Sequence, residues 1–261
     1  MKTKLLDTIT FSEKREKLLI LLKEGPKTLE EIRAALNVTS SGMIPQIRKL
    51  EQQNLVMKDG KGYILTDIGE IITGVFIPFA KTVDIVTKYR TFLNDHDISA
   101  IPNHLLERIY ELGECRLVES NVSEIYEPHR EFMEHLLKSK NVMGISPIFH
   151  HSYPPFFLQL AENGANVSLL LTKDVFEKIK KEYYETLLKF INLPNTHLYV
   201  SNNNLRLAGA VTETFCSISL FFRNGGYDSQ RDLISLDGSA VKWGAHLFHH
   251  HVQYSYEITS L

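Results

Sequence analysis

The sequence predicts two folded parts: an α+β winged helix-turn-helix domain at the N-terminus, and an α/β domain, a mixed sheet with helices on both faces, at the C-terminus. A chain of 261 residues is long for one compact domain and sufficient for two. Three helical patterns and a hairpin signal come first, and later short apolar runs alternate with helical patterns. We therefore place the domains at residues 1–66 and 94–261, joined by a connecting helix over residues 67–93.

Helical patterns fill the first part. Residues 12–24 carry leucines at helical spacing, and Thr28 with Glu31 forms a capping box that opens a second, short helix. A third helix is predicted from residue 39 or 40 to about residue 53. Its inner stripe is predicted to consist of Ile44, Ile47 and Leu50.

Residues 55–58 and 63–65 are predicted to be two short strands around an Asp59-Gly60 turn. Helix, helix, turn, helix and hairpin in this order resemble the winged-helix regulators of the ArsR type. The phrases that carry the resemblance are KTLEEIRAALNVTSSGMIPQIRKLEQQNLV and YILTDIG. The resemblance implies double-stranded DNA as the partner, with the third helix in a major groove.

The residues expected to contact DNA lie on the face of the third helix that the inner stripe leaves free, and on the hairpin. They are Thr39, Ser40, Ser41, Met43, Gln46, Arg48, Lys49, Lys58 and Lys61. Gln46 is expected to read adenine through two hydrogen bonds, and the four basic residues are expected to bind phosphates. A solvated surface without a ligand is the alternative interpretation of the basic residues.

The charge distribution favours a polyanion partner for the first part only. Residues 1–90 hold 15 Lys and Arg against 11 Asp and Glu, a net charge of +4, whereas the remainder holds 14 against 20, a net charge of −6. No run of residues is apolar enough for a membrane span, and the first residues lack the apolar core of a signal peptide. We expect a cytoplasmic protein with no membrane partner.

The connecting helix has an apolar stripe that steps by three and four residues from Ile68 to Val86. Pro78 is expected to kink or split this helix. The stripe is more apolar than a solvated helix requires, which favours burial against a second copy in a homodimer. Packing against the second domain of the same chain is the alternative.

The second part alternates strand and helix patterns, which predicts a mostly parallel sheet with an antiparallel end. The predicted helices include residues 123–138, 174–190 and about 238–256, and the apolar run at residues 167–171 predicts a buried strand. The phrases GGYDSQRDLISLD (225–237) and AVKWGAHLFHHH (240–251) resemble the C-terminal domain of archaeal winged-helix regulators, notably methanogenesis regulatory proteins. That domain is related in shape to the phospholipase D fold. The resemblance implies a domain that receives a signal. Phospholipase D enzymes carry a His-x-Lys-x4-Asp motif, and the nearest fragment here, at His197, lacks the Lys.

Polar residues near two predicted strand ends are candidates for an effector site: His150, Asp228, Arg231 and Asp232. An ion-paired loop is the alternative for the last three. His246 and His250 share a helix face at the spacing of zinc ligands, but no third ligand is near in sequence, so no metal is expected. No phosphate-binding glycine loop or nucleophile elbow occurs, so we expect no cofactor and no catalytic residues.

Taken together, these patterns predict a sequence-specific DNA-binding transcription regulator, not an enzyme, whose C-terminal domain dimerises and senses a small-molecule effector or a protein partner. Two other classes remain open from sequence. One is a phosphodiesterase-like enzyme that is targeted by its winged helix, and the other is a protein-interaction adaptor that carries a winged helix.

Overall fold

The computed structural model describes residues 4–120 and 130–261. It divides into two compact units, Met1–Val83 and Asp84–Leu261, which are described separately below. No helix among the described residues is long and apolar enough to cross a membrane.

Helices and a small sheet make up the first unit. The helices are α1 (Lys4–Thr10), α2 (Glu13–Leu22), α3 (Leu29–Leu36), α4 (Ser40–Glu51) and α5 (Asp67–Lys88), of which α5 continues into the second unit. The strands are β1 (Lys27–Thr28), β2 (Val56–Asp59) and β3 (Gly62–Leu65). They form an antiparallel sheet in the order β1-β3-β2. The predicted hairpin is therefore present, with Gly60 at a φ of 56° in its turn. The elements α1 and β1 were not predicted from sequence.

The predicted capping box at the start of α3 is confirmed. The Glu31 backbone N–H donates to Thr28 Oγ1 at 3.2 Å, and the Thr28 backbone N–H donates to Glu31 Oε2 at 2.7 Å. Asn37 then ends the helix in a left-handed conformation with a φ of 50°. These two local signals set the direction in which the chain enters α4.

Leucine and isoleucine side chains from α2, α3 and α4 form the core of the first unit. The residues with no more than 2% exposure are Leu18, Leu19, Leu22, Ile32, Met43, Ile47, Leu50, Leu55 and Val56. Burial of this apolar surface is the main stabilising term for three short helices that would be marginal alone.

Thr66 and Gly69 join the sheet of the first unit to α5. The Thr66 hydroxyl donates to the Asn54 carbonyl at 2.5 Å and accepts from the Gly69 backbone N–H at 3.0 Å. A Cβ on Gly69 would lie 1.9 Å from the Leu55 carbonyl oxygen, so only glycine fits this approach. Pro78 was expected to kink or split this helix, and it does not split it, because α5 is continuous from Asp67 to Lys88.

The second unit contains a large sheet with helices around it. Its helices are the end of α5, then α6 (Arg90–Asp95), α7 (Asn103–Leu106), α8 (Arg130–Leu137), α9 (Tyr153–Glu162), α10 (Lys173–Glu182), α11 (Tyr184–Asn192) and α12 (Gly238–Val252). Its strands are β4 (Arg116–Glu119), β5 (Asn141–Ser146), β6 (Asn166–Thr172), β7 (Thr196–Ser201), β8 (Leu207–Thr212), β9 (Cys216–Leu220), β10 (Arg231–Ser235) and β11 (Ser255–Glu257). Short 3-10 helices lie at Ile98–Ala100 and Ile109–Leu112.

The sheet of the second unit has eight strands in the order β11-β7-β6-β5-β8-β9-β10-β4. Only the β5–β6 and β6–β7 pairs are parallel, and the other five neighbours are antiparallel. The prediction of a mixed sheet is confirmed, whereas the prediction of a mostly parallel sheet is wrong. Tight connections join β8 to β9, and β9 is followed directly by β10, so the chain makes an antiparallel run there without helical crossovers.

Both faces of this sheet are covered. Leu169 and Leu171 of β6 pack into a core with α9, α10 and α11, whereas Leu170 packs into a second core with Trp243 of α12. Successive residues of a strand point to opposite faces, so a continuous apolar run such as that of β6 identifies a strand buried on both sides. A Cβ on Gly244 would lie 2.6 Å from Cys216 Sγ, which shows how closely α12 lies on β9.

Several helix boundaries differ from the sequence-based expectations. The connecting helix predicted over residues 67–93 ends at Lys88, and α6 follows from Arg90. The predicted helix from Asp174 to Phe190 is two helices, interrupted at Tyr183 with φ of −134° and ψ of 39°. The last helix ends at Val252 instead of residue 256, and the chain then adds β11 beside β7. The predicted helix from Ser123 to Lys138 is present over Arg130–Leu137, and its first residues lie outside the described residues.

Candidate nucleic-acid interface and effector cavity

The start of α4 presents exposed hydroxyl groups and a nearby cation. Thr39 caps the helix, since its Oγ1 accepts from the Gly42 backbone N–H at 3.2 Å, and it also lies 3.2 Å from Ser41 Oγ. An ideal Cβ on Gly42 would lie 3.2 Å from the Nζ of Lys14, so that ammonium group sits beside the first turn. Lys14 is exposed and was missed by the sequence analysis. A helix N-terminus with a cation beside it is a favourable environment for a phosphate.

Met43 was predicted to contact DNA, and the structure contradicts this. Its side chain is fully buried in the core of the first unit, with Ile47 and Leu50 one and two turns further along α4. Ile44, predicted for the inner stripe, is only partly buried. The buried stripe keeps Ile47 and Leu50 of the predicted one and differs only in the first turn, where position 43, four residues before Ile47, is buried instead of position 44.

Gln46 is held from inside the first unit by Arg15. The Arg15 Nη1 donates to Gln46 Oε1 at 2.7 Å, and its Nε donates to the Thr8 carbonyl oxygen. Arg15 itself is only 6% exposed. Because a guanidinium has donors and no acceptor, the side-chain oxygen of Gln46 must face Arg15. Ser12 Oγ lies 3.5 Å from the same oxygen.

This contact changes what Gln46 can read. A two-bond contact with adenine needs the amide oxygen to accept and the amide nitrogen to donate. With its oxygen engaged by Arg15, Gln46 offers only N–H donors, so the predicted two-bond pairing with adenine does not fit this conformation. Donors suit the N7 and O6 acceptors of guanine or the O4 acceptor of thymine.

The other predicted DNA-contacting residues lie at or near the surface. Thr39, Ser41, Arg48, Lys49, Lys58 and Lys61 are exposed, and Ser40 is half-buried. Arg48 and Lys49 belong to the last turns of α4, whereas Lys58 and Lys61 lie on β2 and in the β2–β3 turn. This distribution leaves polar and basic groups on the solvent side of α4 and of the hairpin.

Asp228 and Arg231, two predicted effector-binding residues, form an internal ion-pair network. Asp228 is 3% exposed, and its Oδ2 accepts from Arg231 Nε at 2.7 Å and lies 3.0 Å from the Nε2 of fully buried His96. The guanidinium of Arg231 lies 5.7 Å from the ring centroid of Phe92 and 5.6 Å from that of Phe222. These contacts match the alternative of an ion-paired loop, because the polar atoms that a ligand would use are engaged within the unit.

The other two predicted effector-binding residues, His150 and Asp232, meet at a cavity of about 130 Å³ in the second unit. The walls come from the C-terminal ends of β5 and β6, from the start of α9, from α10, and from β8, β9 and the segment before β10. Aliphatic and aromatic side chains dominate the lining. Its aromatic members are Phe132, Phe149, Tyr153, Phe157 and Tyr227.

Polar groups also line this cavity. Asp232 is 8% exposed and accepts a hydrogen bond from Ser219 Oγ, and Ser219 is in turn hydrogen-bonded to the Tyr227 hydroxyl. Burial raises the pKa of both Tyr153 and Tyr227, and the nearby negative charge of Asp232 raises each pKa further. Both phenols therefore remain protonated, and because Ser219 gives its single hydroxyl proton to Asp232, the Tyr227 hydroxyl donates to Ser219 Oγ.

The histidines of α12 do not assemble a metal site with the residues that the structure describes. No group of three or more His, Cys, Asp or Glu side chains within 4–120 and 130–261 is placed to hold a metal ion. His246 is exposed, and the ring of His250 instead lies 5.5 Å from that of His104 and 5.3 Å from that of Tyr254.

Comparison with known proteins relates both units to one regulatory protein. Residues 3–84 match the model of the N-terminal domain of the methanogenesis regulatory protein FilR1, and residues 125–253 match that of its middle domain. The FilR1 protein of Methanothrix harundinacea (strain 6Ac) is 28% identical over 256 residues. The matches support an archaeal transcription regulator. The expectation that the chain is not an enzyme is confirmed, because the matched family is a regulatory one.

The alignment with FilR1 covers 95% of this chain but only 56% of the FilR1 protein, so the chain spans about half the length of that relative. Among solved structures, the archaeal chromatin protein TrmBL2 covers 96% of this chain and 97% of its own, at 14% identity and a TM-score of 0.45. The phospholipase D family member Nuc from Salmonella typhimurium covers 56% of this chain and 99% of its own, at 7% identity and a TM-score of 0.42.

Proposed function

We propose that the chain is a homodimeric, sequence-specific transcription regulator that binds double-stranded DNA through a winged helix in its first unit and binds an effector in the cavity of its second unit. The observation that carries the proposal is the exposed side of α4. Its inner side is closed by Met43, Ile47 and Leu50, whereas its outer side carries hydroxyl, amide and basic groups next to a hairpin with two lysines.

Each feature of this surface has a role in the proposed complex. The exposed hydroxyls and the capped N-terminus of α4 face the groove, with Gln46 donating to base acceptors. Lys14, Arg48 and Lys49 contact phosphates beside the helix, and Lys58 and Lys61 contact phosphates through the hairpin. Phosphate contacts of this kind supply affinity and position, and the α4 contacts supply sequence preference.

The dimer is proposed from an apolar stripe on α5. Five side chains that step by three and four residues are between 44% and 71% exposed: Ile68, Ile71, Val75, Phe79 and Val83. Exposed apolar groups that lie singly are normal, but a continuous stripe along a helix marks an interaction surface. A second copy is the partner we propose, because a two-fold dimer places two copies of α4 on one DNA duplex.

The proposed DNA interface is tested by the salt dependence of binding to a fragment of the upstream region of its own gene. The full chain is expected to bind preferentially to this fragment over an unrelated duplex, with affinity that falls steeply as salt increases. Replacement of Lys58 and Lys61 by alanine should lower the slope of log affinity against log salt by about 2 per monomer, since each lost phosphate contact removes about 0.9.

The matched control replaces two exposed lysines of the second unit, Lys181 and Lys189, by alanine. This control should leave the slope unchanged. An unchanged slope in the hairpin variant, or a fall of the same size in the control, would show that the lysines of the hairpin do not contact DNA.

A further inference from the structure

The cavity of the second unit combines aromatic walls with one buried carboxylate. Phe132, Tyr153, Phe157 and Tyr227 contribute ring surface, and Asp232 contributes a negative charge at 8% exposure. Tyr153 and Phe157, both of which line the cavity, have ring centroids 5.8 Å apart and an interplanar angle of 63°, so the two rings pack edge to face in its wall.

The carboxylate in the lining of the cavity disfavours an anionic ligand. No Lys or Arg is among the described residues that line it, and an anion would be brought close to Asp232. Lys178 lies outside the lining and places its Nζ 4.2 Å from the centroid of Phe149. Phe149, a further aromatic residue of the lining, is therefore already in contact with a cation at the exposed side of α10.

We infer that this cavity binds a small organic cation, such as an alkylated amine or a quaternary ammonium. A cation over aromatic faces is attracted by their quadrupoles, and the attraction increases when the group is removed from water. Asp232 supplies the counter-charge, and Tyr153 and Tyr227 supply aromatic ring surface. The inference rests on the proposed function in treating this cavity as the effector site.

The size of the cavity sets the size of the ligand. A cavity of about 150 Å³ lined by apolar groups accepts benzene, which has six heavy atoms. The volume here is about 130 Å³, so the cation should be of comparable size. Choline, its neutral isostere 3,3-dimethylbutan-1-ol and the anionic 3,3-dimethylbutanoate are matched probes of this size that differ mainly in charge.

The test measures binding of these three probes to the full chain by calorimetry, without DNA. Choline is expected to bind roughly tenfold more tightly than the alcohol, and the carboxylate should bind most weakly. Failure of choline to bind, or tighter binding of the alcohol or the carboxylate, would overturn the inference. This comparison uses the unaltered protein, so it does not depend on whether a variant folds.

A pair of variants then locates the charge. Asp232→Asn should weaken choline binding roughly tenfold and leave binding of the alcohol nearly unchanged, whereas Asp174→Asn, at an exposed position on α10, should change neither. Equal choline affinity of the unaltered chain, the Asp232→Asn variant and the Asp174→Asn variant would show that Asp232 is not the counter-charge of the ligand.

DNA binding is measured separately, with and without choline. DNA binding by a chain that does not bind choline would remove the inference and leave the DNA-binding function. Choline binding without any change in DNA affinity would support the cation site and remove the effector role from the proposed function.

Discussion

Introducing glutamate at both Val75 and Phe79 should convert the protein from a dimer into a monomer. These side chains are 71% and 57% exposed in one chain and lie at the centre of the α5 stripe that we propose pairs with a second copy. Two carboxylates per chain cannot be buried in an apolar interface without their full desolvation cost, and they would face like charges across the two-fold axis. The oligomeric state is measured by sedimentation.

The affinity for operator DNA should fall in the same double variant, because it is expected to be a monomer. Two linked DNA-binding units gain roughly 100- to 10,000-fold over one unit, because binding of the second becomes intramolecular. The control Lys81→Glu places a carboxylate on a different face of the same helix, since Lys81 follows Phe79 by two residues, or about 200°, and it should leave the mass unchanged. A double variant that remains dimeric with full affinity would exclude the α5 stripe as the interface.

Replacing Asp228 by alanine should destabilise the second unit by about 3–5 kcal/mol. The substitution leaves His96, which is fully buried, without its side-chain partner and leaves the partly buried Arg231 without its counter-ion. Asp228→Asn keeps a hydrogen-bond acceptor and should cost less. Unfolding in urea, followed by the fluorescence of buried Trp243, measures the change in this unit.

Asp84→Ala is the matched control, since Asp84 is exposed on α5 and its replacement should change stability by less than about 0.5 kcal/mol. If Asp228→Ala leaves the free energy of unfolding unchanged but alters effector binding, Asp228 is a ligand-binding residue after all. The structure instead assigns it to the packing of His96 and Arg231.

Signals confined to a few neighbouring residues predicted the fold most accurately. The capping box of Thr28 and Glu31 and the turn at Gly60 are both present, because each depends only on bonds and dihedral angles within four residues. The apolar run of β6 correctly indicated a strand covered on both faces. The order of the strands could not be predicted from sequence. The placement of β8 beside β5, and of β9 beside β8, depends on contacts between distant parts of the chain.

In the candidate sites, too, the features that the sequence did not predict are those that depend on contacts between distant residues. The sequence placed Met43 on the outer face because positions three and four residues before Ile47 both lie on its side of a helix, so spacing alone did not distinguish Ile44 from Met43. The contact of Arg15 with Gln46 joins α2 to α4 and has no signature in either segment. Likewise, His150 and Asp232 were grouped with Asp228 and Arg231, but only tertiary packing separates the cavity from the ion-pair network.

The measurement that tests the central claim most directly is selection of DNA sites by the full chain from a pool of random duplexes. The account predicts an enriched inverted repeat whose half-sites are centred about 10 base pairs, or a multiple of that distance, apart. Guanine or thymine is expected at the position read by Gln46 in each half. A pool without any enriched sequence would contradict a sequence-reading function, and enrichment of a single, unrepeated site would contradict the two-fold dimer.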